Sequence, residues 1–211
     1  MDNVRLQIFE ELKHIPHSAS HVLLVFISLM VAFGVLSSNH PSLWQAFLPA
    51  LLMGLSYGVI SLSLDHLFRE DWEDGTLEWR MSEGQSLERY VLIKILAHWV
   101  RLGFPMSGIV GVATGFSSFP LIFGVTVTTL TLIFSGSIAS ALCLNTKANP
   151  SMLLPFLTLP PGVPIMIVSM AAITNPATAF SSYPALQGGL FLMACALSLI
   201  ACPFALRLAL R

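Results

Sequence analysis

Of 211 residues, 55% are apolar and only 10% charged, whereas a soluble domain carries about 25% charged residues. Ten Lys and Arg against eleven Asp and Glu provide no positive field for phosphates, which excludes a nucleic-acid binder, and the apolar fraction excludes a disordered chain and a water-soluble globule. Three cysteines, Cys143, Cys195 and Cys202, lie in apolar runs without the C-x-x-C spacing of a redox, zinc or haem-attachment site, and read as small core residues.

The charges are unevenly placed. Thirteen lie between Asp65 and Arg101, no acidic residue follows Glu88, and beyond Arg101 only Lys147, Arg207 and Arg211 are charged. A charge at the bilayer centre costs about 2.5–3.5 kcal/mol on insertion scales, so charge-free apolar runs of about 17 or more residues are candidate spans. Six such runs occur, at approximate positions 20–36, 43–64, 102–119, 121–144, 152–173 and 185–206. They predict an all-α integral membrane protein, a single polytopic domain over 1–211. All Lys and Arg fall in the N-terminal segment, the 65–101 stretch, the link around Lys147 or the C-terminal tail; the links at 37–42, near Phe119–Pro120 and at 174–184 carry none. The positive-inside rule then places both termini and the 65–101 stretch in the cytoplasm, and only an even number of spans satisfies the alternation.

In chain order, Asp2–Ile15 reads as an amphipathic interfacial helix, with Val4, Ile8, Phe9, Leu12 and Ile15 at helical spacing and Pro16 ending it. The first span is expected to be retained, because acidic residues precede it and no small-x-small cleavage site follows it. Beyond the second span, Leu64, Phe68 and Trp72 recur at i, i+4 beside a stripe of Asp65, Arg69 and Glu73 suited to i, i+4 ion pairs. Asp74-Gly75 breaks this helix, Thr76 is placed to cap a second that carries Leu77 and Trp79, and Gly84 breaks again before Ser86 caps a third. Aromatic residues on acidic cytoplasmic turns fit two readings. They lie on lipid headgroups, or they dock a soluble protein, which is the preferred reading. Lys94, His98 and Arg101 share one face of the third helix, which is expected to lie along the interface until Gly103 and Pro105 turn it into the bilayer. The fifth span holds Pro155, Pro160, Pro161 and Pro164 and is expected to be broken or strongly kinked, with its freed carbonyls buried in protein. Gly108, Gly111, Gly115, Gly136, Ser140, Gly188 and Gly189 suit close helix packing.

Several chemistries have no residues to carry them. There is no phosphate loop for ATP, no H-E-x-x-H, no paired intramembrane carboxylates, and no histidine after His98 to serve a buried serine nucleophile. A non-enzymatic chain is expected. His98, or His40 on the outer link, stays open as a haem-iron ligand, and no metal site is otherwise expected.

The segment Leu67-Phe68-Arg69-Glu70-Asp71-Trp72-Glu73-Asp74-Gly75-Thr76-Leu77-Glu78 resembles the L-F-x-x-D-x-x-D-G-[ST]-L-E segment of the haem exporter protein B family. Lys94, Ala97-His98-Trp99, Gly103 and Pro105 resemble the K-x-x-A-H-W-x-x-x-G-x-P segment of the same family, and Pro160 to Pro164 its L-P-x-x-x-P stretch. The resemblance implies a permease subunit of the type-2 ATP-binding-cassette class, acting in cytochrome c maturation in the bacterial inner membrane or its mitochondrial counterpart. It implies as partners a cytoplasmic ATPase that supplies ATP, a second membrane subunit that handles haem, and a periplasmic haem chaperone. The loop after span two would be the coupling element, so Leu67, Phe68, Glu70, Asp71, Trp72, Asp74, Gly75, Leu77 and Glu78 are the candidate ATPase-contacting residues. Haem would be the transported or handled ligand, or ATP would serve to release the loaded chaperone; a permease for another substrate is the remaining alternative.

Overall fold

The computed structural model describes residues 17–37, 41–84, 86–113, 119–146, 150–174 and 183–210. Among them are eight helices: α1 His17–Ser37, α2 Pro41–Ser63, α3 His66–Glu73, α4 Thr76–Ser82, α5 Leu87–Ala113, α6 Phe119–Cys143, α7 Pro150–Thr174 and α8 Tyr183–Ala209. The amphipathic helix expected over Asp2–Ile15, His40 and Lys147 lie outside the described residues.

Five helical stretches are long and apolar enough to cross a membrane, one beginning in α2 and the others in α5, α6, α7 and α8. Together they make this a multi-pass membrane protein. Their outer faces carry Val112, Phe156, Ile200 and Phe204, each at least 70% exposed. So continuous an apolar surface is stable only against lipid or another protein. In α1 the described apolar run is Leu23–Val35, and only Phe26 and Met30 on it are buried.

The interior forms two clusters. One joins α1 to α2, α5 and α6 through Phe26, Met30, Leu52, Met53, Met106 and Val125. The other runs from Ile60 and Leu64 through Leu67, Phe68 and Leu77 to Ile133, Cys143 and Leu206, so the short helices α3 and α4 share a core with the long ones.

Polar ties fix the helix directions. Ser140 Oγ donates to the Leu64 carbonyl at 2.8 Å, setting the end of α2 beside the end of α6. Gly136 lies one turn earlier, where an added Cβ would run into the Leu64 side chain; the expected close packing at Gly136 and Ser140 is thus present. By contrast, Gly108, Gly188 and Gly189 meet nothing that a Cβ would touch. Arg207 at the end of α8 reaches Glu88 at the start of α5, 3.6 Å away. The ends of α2, α6 and α8, the start of α5 and the α3–α4 pair therefore gather at one end of the bundle.

The helix bearing Lys94, His98 and Arg101 continues past Gly103 and Pro105, since α5 extends as one helix from Leu87 to Ala113. Gly103 is buried where a Cβ would meet Trp99 and Thr129, and Pro105 is half-buried. The fifth span, expected to be broken or strongly kinked, continues as the helix α7 through all four prolines. Thr158 Oγ1 donates to the Leu154 and Pro155 carbonyls, and the Tyr57 hydroxyl donates to the Pro155 carbonyl at 2.7 Å, tying α7 to α2. Phe119 and Pro120, expected at the link between the third and fourth long helices, are already helical at the start of α6.

Candidate functional site

Local chemistry shapes the charged stretch after α2. Arg69 sits between Asp65 at 3.2 Å and Glu73 at 3.5 Å, the i, i+4 pairs expected of this helix. The helix stops at Asp74-Gly75, where Gly75 has φ +72°, a conformation that costs about 1–2 kcal/mol for a residue with a Cβ. Gly84, at φ +70°, closes α4 in the same way. Gly75, not Thr76, occupies the N-cap of α4, and Thr76 is already helical.

The two short helices turn their apolar residues inward. Leu67, Phe68 and Leu77 are at most 2% exposed, and Trp72 packs half-buried against the same cluster. Leu67, Phe68 and Leu77, expected among the ATPase-contacting residues, place their apolar surface in this chain's own core. What faces outward is Trp79, 56% exposed, together with the exposed Glu70, Glu73, Asp74, Glu78 and Glu83 of the same two helices and their turns. This surface is acidic with one large aromatic group.

Asp71 faces inward as well. Its Oδ2 accepts the Tyr90 hydroxyl at 2.5 Å and Lys94 Nζ at 2.7 Å, and the Asp71 and Lys94 side chains are only 16% and 11% exposed. Tyr90 also stacks at a tilt with Phe68, ring centroids 6.2 Å apart, and carries the Arg80 guanidinium over its ring at 5.3 Å. Sequence reasoning missed Tyr90 and Arg80. The signal available was that Tyr90 and Lys94 are four residues apart on one helix face.

Lys94, His98 and Arg101 separate in role. Lys94 serves Asp71 and Arg101 is half-buried. His98 Nε2 lies 3.0 Å from Ser63 Oγ. The Ser63 hydroxyl also reaches the Ile60 carbonyl at 2.8 Å, so His98 is held to the end of α2 by a side-chain contact whose direction depends on the ring tautomer. Among the described residues no group of three His, Cys, Asp or Glu could hold a metal ion.

Inside the bundle, Gln187 at 4% exposure ties three helices, with Nε2 donating to the Gly124 carbonyl at 3.1 Å, Thr128 Oγ1 at 3.2 Å and Ser169 Oγ at 3.3 Å. Ser137, Ser198 and Cys202 form a second polar contact between α6 and α8. A groove of about 310 Å³ opens between α6, α7 and α8, lined by Ser135, Leu142, Leu157, Pro161, Pro164 and Leu197 among others. Its lining is apolar apart from Ser135, so it offers shape without acid–base or ligating groups.

These features define a class: a multi-pass α-helical membrane protein with a short helical module, acidic outside and apolar inside, seated at one end of its bundle. The family model described as CcmB protein matches residues 17–211, and the chain belongs to that family. It is similar to heme exporter protein B of Bradyrhizobium diazoefficiens, 31% identical over 201 residues that cover 89% of this chain and 86% of the relative. Heme exporter protein B of Pseudomonas aeruginosa is 31% identical over 157 residues, 71% of this chain and 70% of the relative. That of Haemophilus influenzae is 26% identical over 194 residues, 88% of this chain and 86% of the relative.

Proposed function

We propose that this chain is the permease subunit of an ATP-driven haem-export complex in the bacterial inner membrane, crossing it six times with both termini in the cytoplasm. The sixth span is α1, whose 21 residues measure about 31 Å at 1.5 Å per residue, the thickness of the hydrocarbon core. The observation that carries the reading is the α3–α4 module: Leu67, Phe68 and Leu77 lock it to the bundle, while Trp79 and the exposed acidic residues stay outside. A soluble ATPase would receive Trp79 in an apolar slot framed by basic residues. Nucleotide-driven movement of the ATPase would serve haem export or release of a haem-loaded periplasmic chaperone, with a second membrane subunit handling the haem.

The reading is tested by purifying the intact complex from membranes. Trp79→Ala, and Glu78→Lys with Glu83→Lys, are expected to shed the ATPase and to lower the yield of c-type cytochromes. Retention of both in these variants would sink the docking surface. A haem spectrum of the purified chain tests the ligand alternative: a stoichiometric Soret band lost in His98→Ala would replace the permease reading with a haem-binding one. Normal c-type cytochromes in cells without this protein would point to another substrate.

A further inference from the structure

We infer that Tyr90 and Lys94 of α5 are the seat through which movement of the α3–α4 module enters the membrane bundle, and that Asp71 is the positioning residue that holds the module on it. The inference rests on the reading of the module as an ATPase dock and assigns the route that force takes from it.

Chain order would suggest a different route, through α2, since α3 follows it after only Leu64 and Asp65. That end of α2 is pinned to another helix: the Leu64 carbonyl accepts from Ser140 and the Leu64 side chain fills the space over Gly136, both on α6. The module packs its apolar side on both α6 and α5, but its polar ties go to α5, where both short helices converge on one residue. From α3 come the Asp71 carboxylate on the Tyr90 hydroxyl and the Phe68 ring against the Tyr90 ring; from α4 comes the Arg80 guanidinium over the Tyr90 ring. Lys94, one turn further along α5, adds a second bond to the same Asp71 oxygen.

These ties differ in kind from the apolar packing around them. A hydrogen bond to an ionised group is directional and shielded here from water and salt, so it resists sliding where Leu77 against its neighbours would not. The carboxylate accepts from two residues at i and i+4 of α5, which fixes both position and angle of α3 relative to that helix. Removing the charge therefore leaves the docking surface in place, because Trp79 and the exposed acidic residues take no part in the latch, but uncouples that surface from α5.

The test uses the intact complex in nanodiscs, with spin labels at exposed His66 of α3 and exposed Val112, near the far end of α5. Three variants are compared with wild type: Asp71→Asn, Tyr90→Phe, and the exchanged pair Asp71→Lys with Lys94→Asp. Asp71→Asn is expected to retain the ATPase within about twofold while c-type cytochrome yield falls about tenfold or more, the size expected for loss of a charge-assisted bond. The nucleotide-dependent change in label distance should shrink with it. Tyr90→Phe keeps both ring contacts, so it folds even if Asp71→Asn does not, and it should lose about threefold to tenfold with the ATPase retained. The exchanged pair should recover a substantial part of the yield. Wild-type yield and label response in both Asp71→Asn and Tyr90→Phe would overturn the inference. So would loss of ATPase in step with loss of yield, since Asp71 would then belong to the docking surface. Absence of the ATPase from the wild-type complex is a separate result, which removes the docking reading and the seat together.

Discussion

Phe68 and Trp79 are eleven residues apart in one charged stretch, and the structure assigns them opposite duties. Phe68 is fully buried among Leu64, Leu67, Leu77 and Tyr90, whereas Trp79 is 56% exposed. Truncating a buried phenylalanine to alanine costs about 3–5 kcal/mol, the lost transfer energy plus the cavity left behind. For a chain of this size 1 kcal/mol moves the melting temperature by about 2–4 °C, so Phe68→Ala should melt about 6–20 °C lower. Trp79→Ala removes a group that touches little of its own chain and should stay within about 0.5 kcal/mol of wild type, or about 2 °C. Circular dichroism at 222 nm in detergent gives the two melting temperatures, and co-purification at low temperature gives ATPase retention for the same preparations. The expected pattern is crossed: Phe68→Ala melts early but carries ATPase while folded, and Trp79→Ala melts normally without it. If Phe68→Ala keeps the wild-type melting temperature and loses the ATPase, Phe68 faces a partner and the assignment of inner and outer faces is wrong.

Three further outcomes follow from local geometry. Gly75→Ala should cost about 1–2 kcal/mol, since φ +72° and not space is the constraint, and Gly75→Asn should cost less because asparagine tolerates the left-handed region; melting temperatures rank the two. Gly136→Ala should destabilise by about 1–3 kcal/mol through the Leu64 side chain, and adding Leu64→Ala should recover part of that, so that a double-mutant cycle on the melting temperature shows coupling and not additivity. Gln187→Leu removes the donor shared by Gly124, Thr128 and Ser169; with membrane hydrogen bonds averaging about 0.6 kcal/mol and reaching about 1.7, it should cost about 1–2 kcal/mol in detergent-denaturant titration. An unchanged midpoint would mean that the amide does not hold the three helices together.

Legibility in the sequence followed the range of the interaction. The ion pairs of Arg69 and the stop at Asp74-Gly75 could be read directly, because each depends on residues within one helical turn. Long apolar runs marked α2 and α5 to α8 for the same reason, and the 67–105 motifs resembled the family to which the chain belongs. Which way Phe68 points could not be read: an apolar residue on a short amphipathic helix looks alike whether it fills this chain's core or a partner's groove. Asp71 and Lys94 are 23 positions apart, and nothing periodic joins them. The prolines of α7 show in the sequence only that amide donors are missing; that the helix continues through them depends on packing against other helices, to which Tyr57 of α2 contributes a bond to the Pro155 carbonyl. Gln187 drew no notice in the sequence, because its three acceptors lie 18 to 63 positions away on other helices.

The unbroken course of α5 has a mechanical side. At 27 residues it is about 40 Å long, roughly 10 Å more than the hydrocarbon core it crosses. A rod of that length works as a lever. A tilt of about 5° imposed near Tyr90 and carried rigidly along the helix would displace the opposite end by about 3.5 Å, enough to alter side-chain contacts there. Two helices joined by a loop at Gly103 and Pro105 would have absorbed the same push at the joint. Continuity through Pro105 turns a small angular input on one side of the membrane into a displacement of atomic size on the other.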